Sequence, residues 1–286
     1  MAYLEFEIPV RSWSTSEKEI LYALMSQIGF EGFVEGKDDI QAYIEEQHFS
    51  SDKLNLLIDE LAAINIRLQY RYHITEDQNW NEEWEKKFKP VVVDEGVLIR
   101  APFHDSSGDL EYTLVIEPKM SFGTGHHHTT KLMIREMGRL DMEGTRILDM
   151  GCGTGVLGIY GCLKGALRVL GVDFDQWSYE NAIENIERNG TASMEVRLGD
   201  VGVLGNEMFD IILANITRNT LVRDMSEYTS HLLDEGRILV SGILAEDAQY
   251  VLNEAYRCGL HHDNTEEDSN WISLSFIKPK KSASQA

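Results

Sequence analysis

The sequence predicts an α/β protein: a doubly wound, mainly parallel sheet of seven strands, preceded by a smaller N-terminal α+β domain of ferredoxin-like plan. Three observations support this class. From Val91 onward, apolar runs such as RILDM, LRVLGVD, FDIILAN and RILVSGI alternate with stretches of helical period, and continuous apolar strands are what a sheet covered on both faces requires. The first 75 residues instead alternate apolar and polar positions, the pattern of half-buried strands. A length of 286 residues suffices for two modest domains, and 43% hydrophobic residues supply the cores and exclude a disordered chain.

Taken in order, Leu4, Phe6 and Ile8 mark a first strand, and Ser16 with Glu19 three residues on has the spacing of a capping box for a helix through Met25. Gly32 to Gly36 is a short second strand and Ile40 to Ile44 a third. Ser51 and Asp52 open a helix with Leu54, Leu57, Ile58 and Leu61 on one face, and Ile66 to Ile74 forms the last strand. The order is βαββαβ over residues 1–75. Two helices cover one face of such a sheet and leave the other for a partner, so this is read as a substrate-recognition domain; it carries 13 acidic against 6 basic residues. Residues 76–90 place Trp80, Trp84 and Phe88 at i, i+4 and i+8 before Pro90, which predicts a linker helix. Residues 91–279 form the larger domain, closed at its edge by an antiparallel pair, LHHDNTEE with WISLSFI, and 280–286 are a polar tail.

Lys and Arg number 26 against 48 Asp and Glu, a formal net charge of −22, far beyond the roughly 2 to 8 usual for a small domain. Binding to a phosphate backbone, which depends on cations, is disfavoured, and a basic protein partner is the expected complement. Three cysteines without a CxxC pair suit a reducing compartment. The N-terminus lacks the pattern of a secretory signal, and no stretch approaches ~18 apolar residues. The expectation is a cytoplasmic monomer without membrane association.

The chemistry concentrates in the larger domain. In ILDMGCGTGVLGI a strand ends at Asp149, and Gly151, Gly153 and Gly155 turn into a helix. Side chains at the first two glycines would hold a bound cofactor away from the backbone, and the helix start favours an anionic group. The next strand ends at Asp173, beside that turn, where a carboxylate can accept hydrogen bonds from both hydroxyls of an adenosine ribose. The alternative, an Asp that merely caps the following helix, is a role Asp175 can take. Asn215 ends the fourth parallel strand. Nicotinamide enzymes need a proton donor at the hydride site, such as Tyr-x-x-x-Lys, and none is found, so S-adenosylmethionine is favoured over NAD and an NAD-dependent oxidoreductase is the runner-up. His126, His127 and His128 point in different directions and lack the spacing or carboxylate partner of a metal site, so no metal is expected.

FGTGHHHTT (Phe122 to Thr130), LDMGCGTGVLGI (Leu148 to Ile159), GVDFD (Gly171 to Asp175), NAIENIERNG (Asn181 to Gly190) and ILANI (Ile212 to Ile216) together resemble the ribosomal protein L-eleven methyltransferases. The resemblance runs from the linker to the carboxyl end and includes the domain order; the first 75 residues share only the layout. It implies a class I, S-adenosyl-L-methionine-dependent N-methyltransferase acting on lysine side chains or the N-terminal α-amine of ribosomal protein L-eleven, free or on the ribosome. A methyltransferase acting on another protein is the nearer alternative. By the same resemblance Thr130, Gly151, Asp173 and Asn215 contact the cofactor, Asn215 orients the substrate amine without a general base, and His127 shapes the loop over the cofactor.

Overall fold

The computed structural model describes residues 3–11, 13–64, 66–75, 85, 88–94, 96–105, 110–119 and 121–280. The chain divides into two compact units, Met1–Phe88 and Lys89–Ala286. Among the described residues no helix is long and apolar enough to cross a membrane. Trp80 and Trp84 of the expected linker helix lie outside the described residues.

The N-terminal unit runs β1 (Tyr3–Pro9), α1 (Thr15–Gln27), β2 (Gly32–Glu35), β3 (Asp39–Glu45), α2 (Ser51–Ala63) and β4 (Arg71–Thr75). Its sheet has the order β2-β3-β1-β4 with every pair antiparallel. Period two along β1 and β3 buries Leu4, Phe6, Ile8, Ile40, Ala42 and Ile44, and the helices cover them with Leu21, Met25, Leu54, Leu57 and Leu61. Each fully buried side chain of this size contributes about 1.5–3 kcal/mol. The capping box is two residues earlier than the sequence spacing indicated: Ser14 accepts the amide of Glu17, and the Glu17 carboxylate accepts the Ser14 amide at 2.6 Å. Ser14 and Ser16 are both followed by Glu at the third position, and the chain is already helical at Thr15, so only Ser14 has the extended backbone a cap needs. The last strand is also shorter than its alternating pattern. Residues 66–70 are not in a strand, although Ile66 still reaches the core.

The larger unit opens with a three-stranded sheet that alternation alone had not separated from the rest. Here β5 (Val91–Val93) is antiparallel to β6 (Val97–Arg100), which is parallel to β7 (Tyr112–Val115). The helix α3 (His128–Gly138) then leads into β8 (Arg146–Met150), α4 (Val156–Leu163), β9 (Arg168–Asp173), α5 (Gln176–Asn189), β10 (Met194–Leu198), β11 (Phe209–Asn215), α6 (Arg218–His231), β12 (Leu232–Leu244), α7 (Ala248–Arg257), β13 (His261–Asp268) and β14 (Trp271–Ile277). The main sheet has seven strands in the order β10-β9-β8-β11-β12-β14-β13, with β14 antiparallel to both neighbours. One apolar cluster lies on each face: Met133, Ile134, Ile147, Leu157, Ile159 and Leu213 on one, Leu148, Leu170, Ile212, Met225, Tyr228 and Phe276 on the other. Two covered faces account for the unbroken apolar runs of β8, β9 and β11. In chain order β9 lies to one side of β8 and β11 to the other, so the topological switch falls at β8. Open α/β sheets bind ligands at the carboxyl ends of the strands beside such a point.

Candidate active site

Three strands deliver their carboxyl ends to that edge, and each carries a residue singled out from sequence. Gly151 follows β8, Asp173 ends β9 and Asn215 ends β11. The glycine turn is enforced by close backbone approach. Gly151 has φ +66°, and a Cβ there would lie 2.4 Å from Cγ2 of Ile216; Gly153 has φ +55°, and a Cβ there would lie 2.3 Å from the carbonyl oxygen of Phe122. From sequence, glycine is expected here to leave room for a cofactor; the structure shows a reason of its own, the segment containing Phe122 laid across the turn. The Thr154 amide donates to the Phe122 carbonyl at 2.9 Å, and the Thr154 hydroxyl donates to the Gly123 carbonyl at 2.8 Å.

Asp173 is 7% exposed and already works within the protein. Its Oδ2 accepts the Gly153 amide at 2.8 Å and its Oδ1 accepts the Asp175 amide at 3.0 Å. Each carboxylate oxygen has two acceptor sites, so both keep one for a ligand. Asp175, not Asp173, caps α5 by accepting the Ser178 amide at 2.8 Å.

Asp149, buried within β8, was not singled out as functional. Its Oδ2 accepts the Gly158 amide at 2.9 Å, serving the first turn of α4, whose N-cap Gly155 has no side chain to do so. Burial pushes this carboxyl up to about 7, the Gly158 amide opposes the shift and the neighbouring Asp173 charge adds to it. The signal was present in the sequence as a lone carboxylate inside an apolar strand.

Thr130 lies in the first turn of α3, fully buried, and its Oγ1 has no hydrogen-bond partner among the described residues; the same holds for Oδ1 of Asn215 and Oγ of Ser121. A buried polar atom without a partner costs about 1–3 kcal/mol, so Thr130 Oγ1 and Asn215 Oδ1, both in the strings singled out from sequence, are candidates to meet polar groups of a ligand. Sequence reasoning did not find Ser121. His127 caps α3: its Nδ1 meets the Thr129 hydroxyl at 2.8 Å and accepts the Thr129 amide. The ring stands between Phe122 and Trp271, at centroid distances of 5.2 and 4.8 Å. Burial, then His128, lowers its pKa and keeps it neutral. His128 instead pairs with Asp268 at 3.0 Å.

Compared with known proteins, the family model described as Ribosomal protein L11 methyltransferase (PrmA) matches residues 12–279. The chain belongs to the ribosomal protein L11 methyltransferase family. Relatives of that name are 37% identical in Phocaeicola vulgatus, over 97% of this chain and 99% of the relative, and 40% identical in Porphyromonas gingivalis, over 92% of each. A crystal structure of a ribosomal protein L11 methylase from Lactobacillus delbrueckii subsp. bulgaricus superposes with a TM-score of 0.64 at 23% identity, covering 68% of this chain and all of that one, and supports the fold. Membership of a methyltransferase family leaves the oxidoreductase reading of the glycine turn without support and implies a methyl donor of the S-adenosylmethionine type. The residues present fit such a donor: a turn bare of side chains, a carboxylate with acceptor sites to spare, and buried polar atoms in need of partners.

Proposed function

We propose that this chain transfers methyl groups from S-adenosyl-L-methionine to amino groups of ribosomal protein L11, on lysine side chains, the N-terminal α-amine or both, and that Thr130, Gly151, Asp173 and Asn215 form the cofactor-contacting set. The observation that carries the reading is the pair of buried, unpartnered atoms Thr130 Oγ1 and Asn215 Oδ1 beside the glycine turn of a chain in this family. When bound, the cofactor supplies a methyl carbon on a cationic sulfur that departs as a neutral thioether. The protein then has to position and desolvate, tasks worth roughly 7–11 kcal/mol in favourable intramolecular cases, and needs no covalent nucleophile.

Asp173 accepts the ribose hydroxyls through its two spare acceptor sites. Gly151 and Gly153 keep the turn open to close approach. Asn215 Oδ1 accepts an N–H of the incoming amine and so turns the nitrogen lone pair toward the methyl group. The amine must be neutral to react; an α-amine, with a pKa near 7.7–8.0, is almost ready, whereas a lysine near 10.4 must first lose its proton to water. A carboxylate beside the nitrogen would favour the ammonium form, so an amide is the better acceptor there. The basic substrate, in free or ribosome-bound form, is drawn by the net charge of −22. The enzyme is read as a cytoplasmic monomer that does not contact nucleic acid directly.

The test is mass spectrometry of purified large-subunit ribosomal proteins incubated with the chain and S-adenosyl-L-methionine. Methyl increments on L11 alone are the expected result. Increments on another protein instead would move the substrate and keep the chemistry, and no increment on any protein would sink the reading.

A further inference from the structure

Phe174 and Trp177 are the most exposed aromatic rings among the described residues, at 83% and 73%. Phe174 follows Asp173 at the end of β9, and Trp177 lies in the first turn of α5. Leu198, 44% exposed, ends β10 and pairs in register with Asp173. An apolar residue just before an N-cap ordinarily folds back on the fourth residue of its helix, here Tyr179, but at 83% exposure Phe174 does not pack there. None of the three belongs to either core cluster of the larger unit. Single exposed apolar side chains are ordinary, whereas three gathered at the ends of neighbouring strands mark an interaction site. The charge around them is of one sign. From Gly171 to Glu187 there are five carboxylates and no Lys or Arg. Asp175, Glu180 and, beyond β10, Asp200 accept hydrogen bonds from uncharged groups, the Ser178 amide, the Gln176 side chain and the Gly202 amide, and so keep their charge. Such a rim repels a phosphate backbone. It matches Lys and Arg, whose alkyl stems lie on apolar surface while their heads reach carboxylates and ring faces.

We propose that Phe174, Trp177 and Leu198 form a docking surface for the basic substrate protein, taking Lys and Arg side chains that flank the reacting amine. The proposal rests on the methyl-transfer reading above. In the sheet, β8 alone separates β9 from β11, so the patch and the strand end of Asn215 are two strand spacings apart, about 10 Å. An interface of ordinary size, about 800 Å² a side, that centres on the patch therefore also covers that strand end. The flanking cations stay charged and hold the substrate. The reacting nitrogen, beside an amide rather than a carboxylate, is left to lose its proton. Exposed aromatic rings that become buried on association are the usual anchors of an interface, and contacts made equally before and during methyl transfer add affinity without altering the chemical step.

The test uses the full chain as wild type, as Trp177→Phe and as the double variant Phe174→Ala/Trp177→Ala. Each is titrated calorimetrically with S-adenosylhomocysteine alone, and then with purified L11 in its presence. The double variant should bind L11 about tenfold more weakly, with S-adenosylhomocysteine affinity unchanged, while Trp177→Phe keeps most of the L11 affinity. In steady state the double variant should raise KM for L11 about tenfold and leave kcat within about twofold of wild type. Unchanged L11 affinity in the double variant overturns the proposal. A matching fall in S-adenosylhomocysteine affinity also overturns it, because the rings then serve the cofactor. Sedimentation of the free proteins supplies a third check: a wild-type dimer that the double variant abolishes would make the occupant a second copy of this chain and overturn the proposal. If wild type methylates nothing, the proposed function fails and the docking surface falls with it; if wild type methylates L11 and the double variant does so with the same KM, the docking surface alone fails.

Discussion

At neutral pH the Asp149 carboxyl sits near half-protonation, since burial raises it to about 7. Its folded-state pKa lies above the ordinary value of 3.8, so the folded protein keeps a proton that the unfolded chain gives up. Stability from this group is therefore full at low pH and falls as the pH rises through about 7. Asp149→Asn keeps an oxygen for the Gly158 amide and removes the titration. Denaturant unfolding between about pH 5 and 8 should give a flatter stability profile for the variant than for wild type, and identical slopes would assign the proton elsewhere. Asn215 calls for a kinetic measurement. Asn215→Ala removes the proposed acceptor of the amine, and a loss of turnover on the order of 10²-fold is expected from a misplaced nucleophile, with the chain still folded by circular dichroism. A variant with full turnover would end the assignment. Both residues were visible in sequence as polar residues at strand positions and both belonged to a motif, but only Asn215 was assigned a role from it. The carboxylate of Asp149 acquires meaning from its contact with Gly158, nine positions away, which no local pattern reports.

Among the elements, the turn from β8 to α4 and the segment laid across it stand or fall together. Gly153→Ala places a methyl group 2.3 Å from the Phe122 carbonyl oxygen at a φ of +55°, so either the turn or the Phe122 segment must move. A stability loss of about 2 kcal/mol or more is expected from strain of this kind, accompanied by weaker binding of S-adenosyl-L-methionine; calorimetry and denaturant titration read the two effects separately. Unchanged stability would mean that the segment is freely displaced. The motif itself was legible because three glycines at fixed spacing after an apolar strand demand a tight turn bare of side chains. The capping box of α1 was legible only to within two residues, since Ser14 and Ser16 offer the same spacing and backbone geometry chooses between them. The strand expected from Ile66 was overextended because Ile66 and Leu68 pack toward the core from non-strand backbone, which mimics alternation. The segment from Phe122 was recognised as a string of residues, yet its docking on Thr154 depends on contacts 31 residues apart.

For the whole molecule, the net charge of −22 acts over distances that individual contacts do not. Raising ionic strength from about 0.01 to 0.15 M shortens the Debye length from roughly 30 to 8 Å, so kcat/KM toward the basic substrate should fall steeply while kcat changes little. Stopped-time assays across that range test this; a kcat/KM indifferent to salt would show that the acidity serves solubility alone. Composition made this charge readable, and apolar runs made the parallel sheet readable. The order of the strands was not, because pairing partners are set by packing between distant segments. That order has a consequence for biogenesis. β14, the last of the described strands, is an interior one, paired with β12 on one side and β13 on the other. During vectorial synthesis every other strand emerges first, and until β14 arrives the flank of β12 remains an open template for any extended peptide. Nascent chains stalled before Trp271 should therefore bind holdase chaperones, and release of the last strand should both close the sheet and bring the Trp271 ring against His127 in one step.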